Sequence, residues 1–294
     1  MRSMKAAPFD YFRAESLAHA LELLGEHGSD AKLLAGGQSL VPMMAMRLAR
    51  PSVLVDIHRL PDLQGVRADT SCLVTGGAVR QCTLEHDATL SERVPLIVQA
   101  LRWVGHEQTR NRGTLGGSLV HADPSAELPL TAVTLDAALV LRSQAGERRL
   151  PASEFFLGPM FTATAEDECL VAIEWPRWTG GRIGSAFEET AIRHGDFAMA
   201  SAAAQVHLDD AGVCERAVLG IGGVDGVPLA LPRLAERLVG KLPTDDAVRA
   251  IAADASRSCE PGSDIHASAD YRRHLVTVLV ERVLRQALAT ARNN

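Results

Sequence analysis

Two short runs, "AGGQSLVP" at residues 35–42 and "TLGGSLV" at residues 114–120, constrain this chain more than any other feature. Each sets two adjacent glycines among hydroxyl and amide side chains and leads directly into an apolar stretch. A glycine pair costs conformational entropy on folding, so it belongs where the backbone must turn sharply or lie flush against another surface. Backbone N–H groups presented by such a turn can share the dispersed charge of a diphosphate, and Ser39, Thr114 and Ser118 add hydroxyl donors at the same places. One such pair is usually only a turn. Two of them, both rich in small and polar residues, point to a ligand.

The familiar phosphate and nucleophile signatures fail on inspection. No G-x-x-x-x-G-K-[ST] segment occurs. "GIGGVDG" (220–226) misses the dinucleotide fingerprint by one position and comes late, among strands and without a nucleotide-binding helix after it. The G-x-S-x-G elbow is approached around Ser39 and Ser118, but Val41 and Val120 stand where its closing glycine belongs. His121 and Asp123 have no evident third metal ligand. Asp123 and Glu127 are better suited to accept hydrogen bonds from sugar-like hydroxyls, although Asp123-Pro124 also reads as a plain turn. No catalytic side chain and no metal ligand is assigned.

Hydrophobic periodicity orders the rest. Ser16 is a candidate N-cap for a helix with Leu17, Ala20, Leu21 and Leu24 on one face, punctuated by Gly25 and Gly28. "AKLLAGG", "SVLVDI", "CLVTGGAV", "DAALVLRS" and "CLVAIEWP" read as strands, with a helix over Pro95–Val104 and a loop at "LPASEFFLGPM". The aperiodic "WPRWTGGRIGSA" (175–186) reads as a seam between domains. After it come three strands, "SAFEETAIR", "MASAAAQVHL" and "RAVLGIGGV". Helices follow in "LPRLAERLVG", "TDDAVRAIAADAS" and "ASADYRRHLVTVLVERVLRQALATA". Mixed elements, then strands, then helices give an α+β class rather than a doubly wound sheet.

Composition removes several function classes. The net charge is −6, the basic residues are dispersed and aromatics are 4%, which leaves neither a basic stripe nor a stacking platform for nucleic acid. The longest apolar region, "LVTVLVERVL", is broken by charge, so no membrane span is expected, and "MRSMKAAPFDYFRAES" lacks a signal-peptide core. Five cysteines scattered singly, without C-x-x-C, suit reduced thiols in a cytoplasm better than disulfides, zinc or an iron–sulfur cluster within this chain.

"LLAGGQSLVPMMAMRLARPSVLVDI" and "RNRGTLGGSLVHADPSAELP", in that order and separation, closely resemble the FAD-binding medium subunit of molybdenum hydroxylases. This family includes the carbon monoxide dehydrogenase medium chain and the xanthine dehydrogenase FAD-binding subunit. The resemblance spans the chain, beginning with "FDYFRAESLAHALELL". It implies a two-lobed FAD-binding domain of the vanillyl-alcohol-oxidase (PCMH) type over 1–176, with lobes of about 1–58 and 59–176. A smaller α+β C-terminal domain then covers 177–294. It also implies that FAD lies between the lobes, its diphosphate held mainly by backbone amides of Ala35, Gly36, Gly37, Gln38, Ser39 and Leu40 on one side. Thr114, Leu115, Gly116, Gly117 and Ser118 form the other side. Asp123 matches a position for ribityl or nearby hydroxyl contacts, and Glu127 is a second candidate for that task. In "AIRHGDFAMASAAA" the family often carries a tyrosine near the isoalloxazine; Phe197 stands there, which keeps a stacking face without a hydroxyl. The cysteine-bearing loop of some relatives is missing.

By the same resemblance the chain is an oxidoreductase subunit that passes electrons and does not itself hydroxylate. Two [2Fe-2S] clusters in a small partner subunit would feed the FAD. Molybdopterin in a large partner would oxidise an N-heterocycle such as a purine or pyridine, an aldehyde or carbon monoxide, in a heterotrimer or dimer of heterotrimers. A stand-alone flavin oxidase or dehydrogenase and a non-enzymatic nucleotide-binding scaffold are the alternatives.

Overall fold

The structure, a computed structural model, describes residues 5–294; residues 1–4, the start of the amino-terminal stretch read above, lie outside the described residues. Three sheets of three or more strands, with a separate two-stranded hairpin, carry the described residues. The first is small and parallel: β1 (Asp10–Arg13), β3 (Val53–Asp56) and β2 (Ala31–Leu34), in the order β1-β3-β2. Parallel neighbours need a crossover, and helix α1 (Leu17–His27) supplies the first. Ser16 caps it as expected, its hydroxyl accepting the His19 N–H, but Gly25 stays inside the helix and Gly28 ends it at φ 51°. A short helix α2 (Leu40–Ala45) lies between β2 and β3. The buried face of α1 packs its leucines on Val53 and Val55.

The second sheet is antiparallel, in the order β4-β5-β10-β6-β7. Its strands are β4 (Val66–Ala68), β5 (Cys72–Gly76), β6 (Ala138–Ser143), β7 (Gly146–Pro151) and, later in the chain, β10 (Cys169–Pro176). Short helices fill the span between β5 and β6: α3 (Gln81–Glu85), α4 (Ala88–Arg93), α5 (Pro95–Leu101), α6 (Glu107–Arg110), α7 (Leu115–His121) and α8 (Glu127–Thr134). The fully buried Trp175 anchors this layer and donates its indole N–H to the Thr75 hydroxyl at 2.9 Å. The stretch expected as a loop at "LPASEFFLGPM" is ordered instead. The end of β7, helix α9 (Ala152–Phe155) and a hairpin of β8 (Phe156–Gly158) and β9 (Phe161–Thr162) occupy it. Its pattern is hidden because Phe155 and Phe156 both enter the core from adjacent positions, which no helix or strand period predicts.

The "WPRWTGGRIGSA" stretch is less irregular than its composition suggests, since β10 runs through Pro176 and β11 (Ile183–Thr190) begins soon after. With β12 (Ala200–Leu208), β13 (Cys214–Gly222) and β14 (Leu229–Ala230) it forms a four-stranded antiparallel sheet. The "AIR" end of the first expected strand falls outside it. The helix expected in "LPRLAERLVG" is present as α10 (Pro232–Ala235) running directly into a 3-10 helix (Glu236–Leu238); α11 (Asp245–Ala255) and α12 (Ala269–Asn293) follow. One face of this sheet packs on α12, so closely that a Cβ on Gly184 would lie 2.0 Å from the Ala287 carbonyl. The other face, through Phe187 and Ala203, joins the core of the second sheet's helices. The fold is α+β, as expected.

Among the described residues no helix is long and apolar enough to cross a membrane.

Candidate functional site

The two glycine turns meet. Gly36 lies so close to the second turn that a Cβ there would sit 2.5 Å from the Arg112 carbonyl oxygen and 2.9 Å from the Gly113 Cα. The Arg80 guanidinium donates to that same Arg112 carbonyl, which pins the second turn from behind. Gly37 takes φ +70°, a left-handed conformation that a glycine adopts without strain. Chain geometry therefore demands both glycines before any ligand is considered.

A cleft of about 920 Å³ opens from this junction, within the range of small-molecule and cofactor sites. Ala35, Gly36, Gly37, Gln38, Ser39 and Leu40 line one side and Thr114, Gly116, Gly117 and Ser118 another, with Asp123, Glu127 and Phe197 further along. Leu115 does not line it. Its side chain is fully buried in the core and its N–H donates to the Val79 carbonyl at 3.0 Å, the ordinary fate of the apolar residue that seats a helix start.

The turns differ in what they offer. In the second, Gly116 N–H donates to Gly77 O at 2.9 Å, Gly117 N–H to the Thr114 hydroxyl at 3.1 Å and Ser118 N–H to Thr114 O at 3.2 Å. Thr114 is the N-cap of α7. The amides expected to grip a diphosphate from this side are thus engaged within the protein; Thr114, buried and accepting the cap bond through its hydroxyl, and the half-buried Ser118 still line the cleft. In the first turn the N–H groups of Gly36, Gly37, Gln38, Ser39 and Leu40 have no acceptor among the described residues, and Ser39 makes no side-chain cap bond. Unpartnered backbone donors on a concave wall form an anion-binding nest.

The carboxylates also differ. Asp123 accepts the Ser125 N–H at 2.9 Å, so one of its oxygens serves its own turn. Glu127 is buried at the start of α8, and burial, helped by the nearby Asp123 charge, pushes its carboxyl up to about 7. Phe197 is 72% exposed on the rim beside the 58% exposed Ile192.

Sequence reasoning missed part of the wall. Gln81, Met160, Arg193, Asp264, His266 and Arg272 also line the cleft. The buried Arg272 donates to the Met199 and Gly223 carbonyls and to the Asp264 carboxylate at 2.7 Å, which binds the segment before α12 to the ends of β12 and β13. A local signal existed only for Arg193, which lies in the motif around Phe197. The others are isolated polar residues that reach the cleft through tertiary packing.

A two-lobed α+β framework with a glycine-built anion nest on a long, partly apolar cleft defines a nucleotide-cofactor protein. Comparison with known proteins makes this specific. The family model for the FAD binding domain in molybdopterin dehydrogenase matches residues 7–178, and that for the CO dehydrogenase flavoprotein C-terminal domain matches 185–287. The 6-hydroxypseudooxynicotine dehydrogenase complex subunit alpha of Paenarthrobacter nicotinovorans is 39% identical over 98% of this chain and 97% of its own length. The carbon monoxide dehydrogenase medium chain of Hydrogenophaga pseudoflava is 38% identical over 96% and 97%. A solved carbon monoxide dehydrogenase from the latter organism superimposes with a TM-score of 0.93 at 36% identity, covering 97% of this chain and 99% of that one. Quinoline 2-oxidoreductase from Pseudomonas putida 86 gives 0.92 at 36% identity over 98% and 99%. The chain belongs to the family of FAD-binding medium subunits of molybdopterin dehydrogenases. It is an oxidoreductase subunit, and FAD is its cofactor.

Proposed function

We propose that this chain carries FAD as the electron-transfer subunit of a heterotrimeric molybdenum hydroxylase in the cytoplasm, alone or as a dimer of heterotrimers. A large partner holding molybdopterin oxidises the substrate, an N-heterocycle such as a purine or pyridine, an aldehyde or carbon monoxide. A small partner with two [2Fe-2S] clusters relays the electrons here, for delivery to an external acceptor. Residues 1–176, as lobes 1–58 and 59–176, form the cofactor-binding unit, and 177–294 the C-terminal unit.

The five unpartnered N–H groups of Gly36–Leu40 on the cleft wall carry this reading. These residues are half-buried or, at Gln38, exposed to the cleft, so their donors are open to a ligand, and the anionic oxygens of a diphosphate accept strong, charge-assisted hydrogen bonds from such groups. The Thr114 and Ser118 hydroxyls complete the diphosphate site from the opposite side, Asp123 and Glu127 receive ribityl hydroxyls, and Phe197 covers the ring. Ala35 and the Gly116–Gly117 backbone bring the chain close without side-chain bulk. Bound FAD supplies the exchange between one-electron and two-electron carriers. The residues of this chain bind it, orient it and restrict water around it; none acts as acid, base or nucleophile on the oxidised substrate.

Purification with its native companions tests the proposal. The expected result is a flavin spectrum that bleaches on adding a heterocyclic, aldehyde or carbon monoxide substrate only when both companions are present. A chain that oxidises substrate alone is a stand-alone flavoenzyme and overturns it.

A further inference from the structure

Behind the cleft wall lies a set of buried polar groups that cofactor contacts do not account for. Glu189, on β11, is 5% exposed, and neither of its carboxyl oxygens has a hydrogen-bond partner among the described residues. The sheet register sets it beside Ser201 on β12, which pairs in turn with Gly222 on β13; the Ser201 hydroxyl is also buried and unpartnered. Helix α8 covers the β12 and β13 members of this row, and α5, which carries no charged side chain, packs on β11. Leu130 lies against Gly222, the unpartnered Thr134 hydroxyl lies against Gly220, and the Pro124 carbonyl accepts the Gly223 N–H at 2.9 Å. Glu127, at the first turn of the same helix, occupies the boundary between this row and the cleft.

No cation compensates the two carboxyls. Neither takes part in an ion pair among the described residues. Arg272, the cation tied to the adjoining ends of β12 and β13, spends its donors on Met199 O, Gly223 O and Asp264. Asp123 adds negative charge from the turn before α8; Ser201 and Gly222 bring none from β12 and β13. Lys32, His121, Cys169, Arg193, Asp196 and His266 are the remaining titratable groups on the neighbouring cleft wall. Two carboxylates so enclosed cannot both ionise without large cost, whereas a neutral carboxylic acid can.

We infer that Glu127 and Glu189 form a proton-holding pair in the wall of the cleft, and that the pair takes up a proton when an anionic cofactor enters. The inference rests on the FAD reading above. Burial, with the Glu127 charge adding, pushes Glu189 up to about 9, so this member stays neutral near pH 7 while Glu127, at about 7, is poised. A diphosphate-bearing ligand brings negative charge and excludes water, and both effects raise the Glu127 carboxyl further. The proton comes from solvent, adds to the carboxylate oxygen and breaks no other bond. Glu127 is therefore a binding residue whose charge depends on occupancy, and Glu189 a positioning residue that keeps a carboxylate from forming behind it.

Infrared spectroscopy of the full chain, freed of flavin and then reloaded with FAD, distinguishes the outcomes. Near pH 7 the flavin-free protein should show the carbonyl band of a protonated carboxylic acid, and Glu189→Gln should remove its larger part. Adding FAD should increase the band in the wild type and in Glu189→Gln but not in Glu127→Gln. Independently of any variant, the heat of FAD binding should depend on the buffer's ionisation enthalpy at about pH 7, with uptake of up to one proton, and lose that dependence at about pH 5. Absence of the band, or buffer-independent binding at about pH 7, overturns the inference while leaving FAD binding, seen as flavin colour on the protein, intact. Failure to bind FAD at all overturns the functional reading and this inference together.

Discussion

Gly36 and Arg112 stand in backbone contact across the two glycine turns: a Cβ on Gly36 would approach the Arg112 carbonyl oxygen to 2.5 Å. The neighbour is main chain, held by Arg80, and has little room to yield. Gly36→Ala should separate the turns and spoil the row of N–H donors. The expected outcome is a folded protein, destabilised by about 1–3 kcal/mol as for other overpacked sites, with less than one FAD per chain after purification. Flavin absorbance against protein concentration, with a thermal melt, checks both parts.

Thr114 separates a structural role from a binding one. Its hydroxyl caps α7 through the Gly117 N–H, and a Cβ on Gly117 would meet that oxygen at 2.6 Å. Thr114→Ala should cost about 1 kcal/mol, the usual loss of an N-cap, while Gly117→Val should empty the site by displacing the cap and filling the cleft. Chemical denaturation should show both variants destabilised, and flavin content should fall further in Gly117→Val; equal flavin content in the two would remove the glycine from the site.

Phe197 is 72% exposed, and its removal leaves no cavity. Phe197→Ala should change stability by no more than about 0.5 kcal/mol yet alter the rate at which the reduced flavin is reoxidised. Stopped-flow reoxidation is the measurement, and a rate equal to wild type removes Phe197 from the site.

Stability should fall with rising pH, through the buried carboxyls. Glu189 is raised from the ordinary value of 4.5 to about 9, so between those limits the folded chain keeps a proton that the unfolded chain has lost. Its favourable contribution is complete below the unfolded value and declines as pH climbs toward the folded one. Glu127 adds a similar decline up to about 7. A single such proton gives a slope of roughly 1.4 kcal/mol per pH unit. Urea denaturation across this range should show Glu189→Gln flattening the slope; an unchanged slope would mean that Glu189 is ionised in the native protein.

The order of amino acids by itself determined the α+β class, the caps at Ser16 and the principal strands, because those depend on neighbours within a few residues. It also marked both glycine turns as special, since adjacent glycines in polar surroundings are needed only where a backbone must come close to something. What each turn approaches was decided by tertiary structure. Gly36 meets the main chain at Arg112 and Gly116 meets Gly77, so part of the glycine requirement is internal packing. The amides at Gly116–Ser118 are consumed by Gly77 and by the α7 cap, while those at Gly36–Leu40 remain available. Leu115 sits inside its motif yet belongs to the core. Glu189 carries no local mark at all, for a glutamate in an alternating strand reads as solvent-facing. Only the packing of α5 and α8 across the last sheet removes water from it, and the free energy of a charge depends on the surroundings assembled around it, which sequence neighbours do not specify.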